Sequence, residues 1–422
     1  MPSFHARWVL PVAAPCIDDG WVRVEGDRIA AVGATGGRGR RDRDAAPEVD
    51  LGNVALLPGL VNAHTHLELS YLAGAVGPAV RFPDWIRQVI ARRREEPDAG
   101  APHILAAARD AIAALRQSGT ALVGDISNTL VTVPLLAEAA CPAAVFYELL
   151  RFRADDADEV CAAARVRRAA LPAPSDVRVW LAPHAPYSVS PRLFQCLRRE
   201  LDRLGPSRMS VHLAESAEEL ELLERGTGLW RALLEELGAW DPAWVAPGCG
   251  PVEYLDRMRV LDRRTIAVHG VHASRADLQR LAAHGATLVT CPRSNRYVGV
   301  GDPPVARFYE SDVAVAIGTD SLASAPDLSV WGELAVVRRL APDVPPRRLL
   351  ASATLVGAQA LGFGEAFGSI EPGKRADLLA VPVPSNVDDI EAYLVSGDVD
   401  PAGIRWAADL AHTPLAAAAD EA

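Results

Sequence analysis

Apolar runs of strand length recur along this chain at 54–61, 120–125, 143–149, 177–182, 209–212, 265–269, 286–291 and 313–318. Between them lie stretches of helical character, at 83–117, 132–140, 156–170, 191–204, 216–237, 275–283 and 328–340. Strand-length runs alternating with helix-length segments predict an α/β fold, and eight such units predict a (β/α)8 barrel of the TIM type. The fifth connection, 213–264, is the longest and holds a Pro/Gly-rich piece at 246–251, a candidate loop over the barrel mouth.

The flanks have another texture. Residues 20–33 and 368–381 alternate and turn as β-hairpins do. They predict that both chain ends pair into a small discontinuous β-sandwich, 1–53 with 368–422, beside a barrel spanning 54–367. No fixed-period repeat is present, and the last eight residues are alanine-rich. A chain of 422 residues, 50% hydrophobic, has material for one large core and a smaller unit.

Composition removes several classes of function. No apolar stretch reaches the roughly 20 residues of a membrane helix. The run 8–16 carries two prolines and precedes Asp18-Asp19, which makes a poor signal peptide. A net charge of −11 argues against a nucleic-acid partner, and the arginine-rich patch 38–43 reads as a solvated loop. Six cysteines without a C-x-x-C pair read as reduced thiols of a cytoplasmic protein. The expected partner is a small-molecule substrate, with no membrane involved, and a homo-oligomer is compatible with the sequence.

Four motifs sit at the C-terminal ends of the apolar runs: Pro58-Gly-Leu-Val-Asn-Ala-His64-Thr-His66, His212-Leu-Ala-Glu215, Val268-His269-Gly270 and Gly318-Thr-Asp320. In a (β/α)8 barrel that end of each strand carries the catalytic groups. His64, His66, His184, His212, His269 and Asp320 would therefore gather at one mouth. An isolated H-x-H is usually a surface or core pair. Here His64 and His66 alternate with Thr65, so both imidazoles face one side of an extended segment, and matching donors follow downstream. Three imidazoles and a carboxylate suit Zn2+, with Fe2+ or Mn2+ tolerated.

With these motifs, and with Glu371-Pro-Gly-Lys-Arg-Ala-Asp-Leu378 near the C-terminus, the chain resembles the amidohydrolase superfamily over almost its whole length. It is most similar to the branch of cytosine, guanine and S-adenosylhomocysteine deaminases and triazine chlorohydrolases. The resemblance implies that His64, His66, His212 and Asp320 bind one divalent metal. It implies that Asp320 also takes a proton from the attacking water, and that His269 orients that water and stabilises the charge forming at the attacked carbon. Glu215 would be the general acid/base, protonating a ring nitrogen and then the departing ammonia. Two-metal members usually bridge their ions with a carboxylated lysine on strand four. The only lysine here is Lys374, in the C-terminal signature, so one metal is expected.

Substrate contacts are expected from His184, Glu148, Arg151, Trp85, Ser294, Asn295 and Ser321. His184 either touches the substrate, as in related nucleoside deaminases, or buttresses the mouth. Arg151 would meet a carboxylate or a ribose. Trp85 either stacks on an aromatic ring or packs in the core. His272 is expected to pack near the start of the next helix. Glu68-Leu-Ser70, Gly124-Asp-Ile-Ser-Asn128 and Cys291-Pro-Arg-Ser-Asn295 most resemble the aminodeoxyfutalosine deaminase subgroup, which serves menaquinone biosynthesis. The activity implied is hydrolytic deamination of an amino-substituted purine or its nucleoside. Dechlorination or ring opening in the same pocket is the alternative, and the intact site argues against a catalytically silent scaffold.

Overall fold

The computed structural model describes residues 2–35, 48–153, 155–171, 174 and 176–410; the patch 38–43 and the alanine-rich end lie outside them. The chain opens with strands β1 (Ser3–Val9), β2 (Ile17–Glu25), β3 (Arg28–Ala34), β4 (Glu48–Asp50) and β5 (Val54–Pro58). Then β6 (Leu60–Thr65), β7 (Thr120–Ser127), β8 (Ala143–Leu149) and β9 (Val177–Pro183) pair in parallel, in that order. A second parallel sheet holds β10 (Met209–Leu213), β11 (Thr265–His269), β12 (Thr287–Thr290) and β13 (Ala314–Ile317). The fold is mixed α/β with parallel sheets, as expected.

Every residue of β7 and β8 is buried. Parallel strands are covered on both faces, so their sequences run apolar without alternation. Helices on the outside bury an apolar face. Helix Pro191–Arg203 turns Leu193, Phe194, Leu197 and Leu201 inward, and Ser190 Oγ caps it by accepting the Leu193 N–H at 3.1 Å. Backbone bonds also join the two parallel sheets at both edges. The His212 N–H donates to the His184 carbonyl at 2.8 Å, and the Thr319 and Asp320 N–H groups both donate to the His64 carbonyl at 3.0 Å.

Several expectations need correction. The run 54–61 is two strands in different sheets, because the chain turns out of β5 into β6 at Gly59. A Cβ there would lie 2.5 Å from the Ala121 Cβ, so glycine alone fits the crossing. Residues 83–117 form two helices, Phe82–Glu95 and Pro102–Gln117, parted by a link containing Pro97 and Gly100. Residues 216–237 form two more, Ala217–Arg225 and Leu229–Glu236, because Gly226 closes the first at φ 70°. The piece 246–251 does not roof the mouth. Its Gly248 N–H donates to the Leu223 carbonyl at 3.0 Å, and Pro251 begins helix Pro251–Arg257.

Residues 368–381 are no hairpin either. Pro372 cannot donate and Gly373 sits at φ 90°, so the segment bonds to the β2–β3 turn instead: Gly373 N–H to the Ile29 carbonyl and Ala376 N–H to the Asp27 carbonyl, both 2.8 Å. Among the described residues of this part, β14 (Leu378–Pro382) and later β15 (Arg405–Trp406) are the strands. The chain ends meet in one seven-stranded mixed sheet, ordered β15-β14-β5-β1-β2-β3 with β4 on β1. Because β5 lies inside it, that sheet takes in residues beyond 53. No helix of the described residues is long and apolar enough to cross a membrane. None of the six cysteines is disulfide-bonded.

Candidate metal centre

Left-handed residues that are not glycine stand at or shortly after the ends of β10, β11 and β13: Ala214 (φ 51°), His269 (φ 77°) and Asp320 (φ 61°). Such residues cost of order 1–3 kcal/mol each and persist only where the surroundings over-determine them. All three lie at the C-terminal strand ends, beside the motif residues. The approach of β13 to β6 also explains the glycine of Gly318-Thr-Asp320. A Cβ on Gly318 would lie 2.7 Å from the His64 Cβ and 2.8 Å from its carbonyl oxygen.

His64, His66 and Asp320 present donor atoms within 4.8 Å of one another, and so do His64, His212 and His269; His64 belongs to both groups. Asp320 Oδ1 lies 3.3 Å from His66 Nε2 and 3.8 Å from His64 Nε2. The other carboxylate oxygen, Oδ2, accepts a 2.6 Å bond from Ser294 Oγ, which holds the group in place. His212 Nδ1 faces the His184 carbonyl at 3.1 Å and Glu148 Oε1 at 3.4 Å, leaving Nε2 for a ligand. His64 is fully buried, and neither of its ring nitrogens has a hydrogen-bond partner. That condition is costly unless something completes it. Burial foremost, then neighbouring imidazoles, push His64 and His212 well below the usual histidine range, so both are neutral and offer lone pairs. The donor set fits a divalent metal.

Glu215 and His269 form a second unit. His269 Nε2 lies 3.5 Å from Glu215 Oε1, and His269 Nδ1 is 3.0 Å from the Asn295 amide nitrogen. As placed, that amide donates to Nδ1 and leaves the His269 proton on Nε2, toward Glu215. Burial lowers His269 to about 4. Burial, then Asp320 and Glu219, raise Glu215 well above the usual carboxyl range. Its Oε2 is buried and unpartnered. Burial thus favours the protonated form of Glu215, beside an imidazole held neutral.

A cavity of about 660 Å3 opens over these groups, reached by His66, His212, Glu215, His269 and Asp320. Of the expected substrate contacts, Trp85, Glu148, Arg151, His184 and Ser321 line it. Trp85 also packs in the core, near-parallel to Phe82, and its buried Nε1 has no partner. Burial raises Glu148 to about 7, and its Oε2 accepts a 2.9 Å bond from Asn128. His184 Nδ1 is held by Ser188 Oγ at 2.6 Å, and burial lowers it to about 4. Arg151, half-exposed at the rim, is forked onto Asp156.

Ser294 and Asn295 do not line the cavity: they sit behind it and hold Asp320 and His269. His272 also stays out; its N–H donates to the Ala214 carbonyl at 2.8 Å. Sequence reasoning missed the apolar wall, built by Phe82, Ile86 and Val89 of one helix and Trp230, Leu233 and Leu234 of another. It also missed Tyr187, which stacks on Trp230 at 3.9 Å. Helical spacing of apolar residues marks a core as readily as a pocket wall, so no signal separated the two.

Comparison with known proteins shows the family to which the chain is similar. The amidohydrolase family profile matches residues 55–401. An aminodeoxyfutalosine deaminase of Deinococcus radiodurans is 35% identical over 357 residues, 81% of each chain. The crystal structure of Helicobacter pylori aminofutalosine deaminase in complex with methylthio-coformycin superposes with a TM-score of 0.82 at 26% identity, covering 96% of this chain and 100% of that one. An adenosine deaminase of Xanthomonas campestris with bound zinc gives a TM-score of 0.80 at 27% identity, covering 96% and 90%.

Proposed function

This chain belongs to the amidohydrolase family, and on that premise we propose that it is a metal-dependent aminohydrolase of adenine nucleosides, with aminodeoxyfutalosine as its preferred substrate. In this reading the eight parallel strands close as a (β/α)8 barrel beside an accessory β-domain built from both chain ends. His64, His66, His212 and Asp320 hold one divalent ion, Zn2+ in preference to Fe2+ or Mn2+. That ion supplies a water activated near neutral pH and polarises the site.

The chain's own residues do the rest. Asp320 accepts a proton from the attacking water. Glu215, protonated by its burial, gives its proton to the purine ring nitrogen beside the amino-bearing carbon. His269 turns Nε2–H toward the oxygen adding to that carbon and stabilises its developing charge. The water oxygen stays on the ring: Glu215 takes the remaining hydroxyl proton and passes it to the amine, which leaves as ammonia, and the proton accepted by Asp320 returns to Glu215. A buried carboxyl that lines the same cavity as His66, His212 and Asp320 carries the reading. The apolar wall suits a nucleoside with an aromatic substituent, and Arg151 lies at the rim for a carboxylate, competing there with Asp156.

Ammonia release over aminodeoxyfutalosine, adenosine, 5′-methylthioadenosine, adenine, guanine and a chlorotriazine tests the proposal. Aminodeoxyfutalosine should give the highest kcat/KM. A faster reaction with guanine or the chlorotriazine would sink the substrate assignment.

A further inference from the structure

Glu219 is fully buried in helix Ala217–Arg225, and no cation pairs with it among the described residues. Burying a carboxyl without a counter-charge is expensive, so its remaining bonds must matter. Its Oε2 accepts the Glu215 N–H at 2.9 Å, while its own N–H donates to Ser216 Oγ at 3.2 Å. An ordinary capping box in the same chain shows the contrast. Asp277 Oδ2 accepts the N–H of the N-cap itself, Ser274, at 3.0 Å. Glu219 reaches one residue further back, past the N-cap Ser216 to Glu215, next to the left-handed Ala214. It does not line the cavity, so it touches no substrate.

We propose that Glu219 is a positioning residue for the deamination: by fixing the main chain of Glu215, it aims the Glu215 carboxyl past His269 at the substrate. The inference rests on the acid role of Glu215 proposed above. Misplacing a catalytic group by about 1 Å costs on the order of 100-fold in rate. Glu219→Ala should therefore lower kcat at least about tenfold, with KM within about twofold and the metal retained. Glu219→Gln keeps an oxygen that accepts the same N–H and should recover kcat to within about threefold. Ser274→Ala, which removes an exposed cap elsewhere, should lower Tm but leave kcat alone.

A wild-type kcat in Glu219→Ala, or equally slow Ala and Gln variants, overturns the inference. If Glu219→Ala does not fold, Glu219→Asp replaces it, because its shorter side chain cannot reach. Asp as fast as Gln is then the overturning result. Amide hydrogen exchange at Glu215, read on the same proteins, needs no turnover. It should be about tenfold faster in Glu219→Ala or Glu219→Asp than in Glu219→Gln or wild type. Unchanged exchange overturns the inference even if no adenine nucleoside proves to be a substrate, an outcome that would by itself sink only the functional reading.

Discussion

Neither ring nitrogen of His64 has a protein partner, whereas the held atoms of His212 and Asp320 leave one donor free on each. His64→Ala should consequently lose the metal while keeping the fold, which metal analysis beside circular dichroism would read out. Glu215→Gln should retain the metal yet lose roughly 10²–10⁴ in turnover, because an amide cannot shuttle a proton; near-normal rates would remove Glu215 from the chemistry. Arg151→Ala should weaken carboxylate-bearing substrates by about 1.5–3 kcal/mol relative to neutral ones. Equal effects on adenosine and aminodeoxyfutalosine would make that arginine purely a partner of Asp156. A pH effect belongs to Asp125, which accepts the Leu67 N–H at 2.9 Å and Thr132 Oγ1 at 2.6 Å. Burial raises its carboxyl to about 7. Between about 4 and 7 the folded protein keeps this proton while the unfolded chain releases it, so the group's contribution to stability falls as pH rises through that window. Asp125→Asn should remove that component from the slope of Tm against pH; an unchanged slope would place the Asp125 pKa near its ordinary value.

At the level of elements, the six-residue helix Pro292–Tyr297 holds two parts of the site at once, Ser294 on Asp320 and Asn295 on His269. So short a helix is marginal by itself. It is anchored by Arg293, whose Nε donates to the buried Glu333 at 2.6 Å and whose Nη1 reaches Asp327 at 2.9 Å. Glu333→Ala would leave the Arg293 guanidinium only Asp327 and two backbone carbonyls as partners and should cost about 1–3 kcal/mol, with the loss of activity exceeding any change in metal content. A thermal shift within experimental error would show that the helix stands without the pair. The eight strand-length runs in the sequence correspond to strands because buried parallel strands are apolar on both faces. The same continuity hid the change of sheet at Gly59, since an apolar run carries no mark of which neighbour it will join. Helix breaks at Pro97 and Gly226 were written in residues of known effect, but periodicity on either side of them read as continuous.

For the whole molecule, the lone lysine bears on the proposal of a single metal. Lys374 Nζ is engaged by Ser369 at 2.6 Å and Glu371 at 3.0 Å, in the segment bonded to the β2–β3 turn. Protein purified without added metal should hold close to one equivalent, and chelation should lower Tm, since an ion that binds only the folded state stabilises it. Two equivalents of comparable affinity would refute a mononuclear site. Residue type and spacing by themselves determined the donor inventory, its order along the chain and the strand–helix alternation, because metal chemistry depends on side-chain identity and secondary structure on local pattern. Only the tertiary structure decided which nitrogen of His212 is free, which oxygen of Asp320 faces the ring of donors, and that Ser294 and Asn295 stand behind the cavity. It also joined helices Phe82–Glu95 and Leu229–Glu236 into one apolar wall. Those outcomes depend on distances between segments far apart in the chain, set when the two sheets meet along both edges, and no local pattern encodes such a distance.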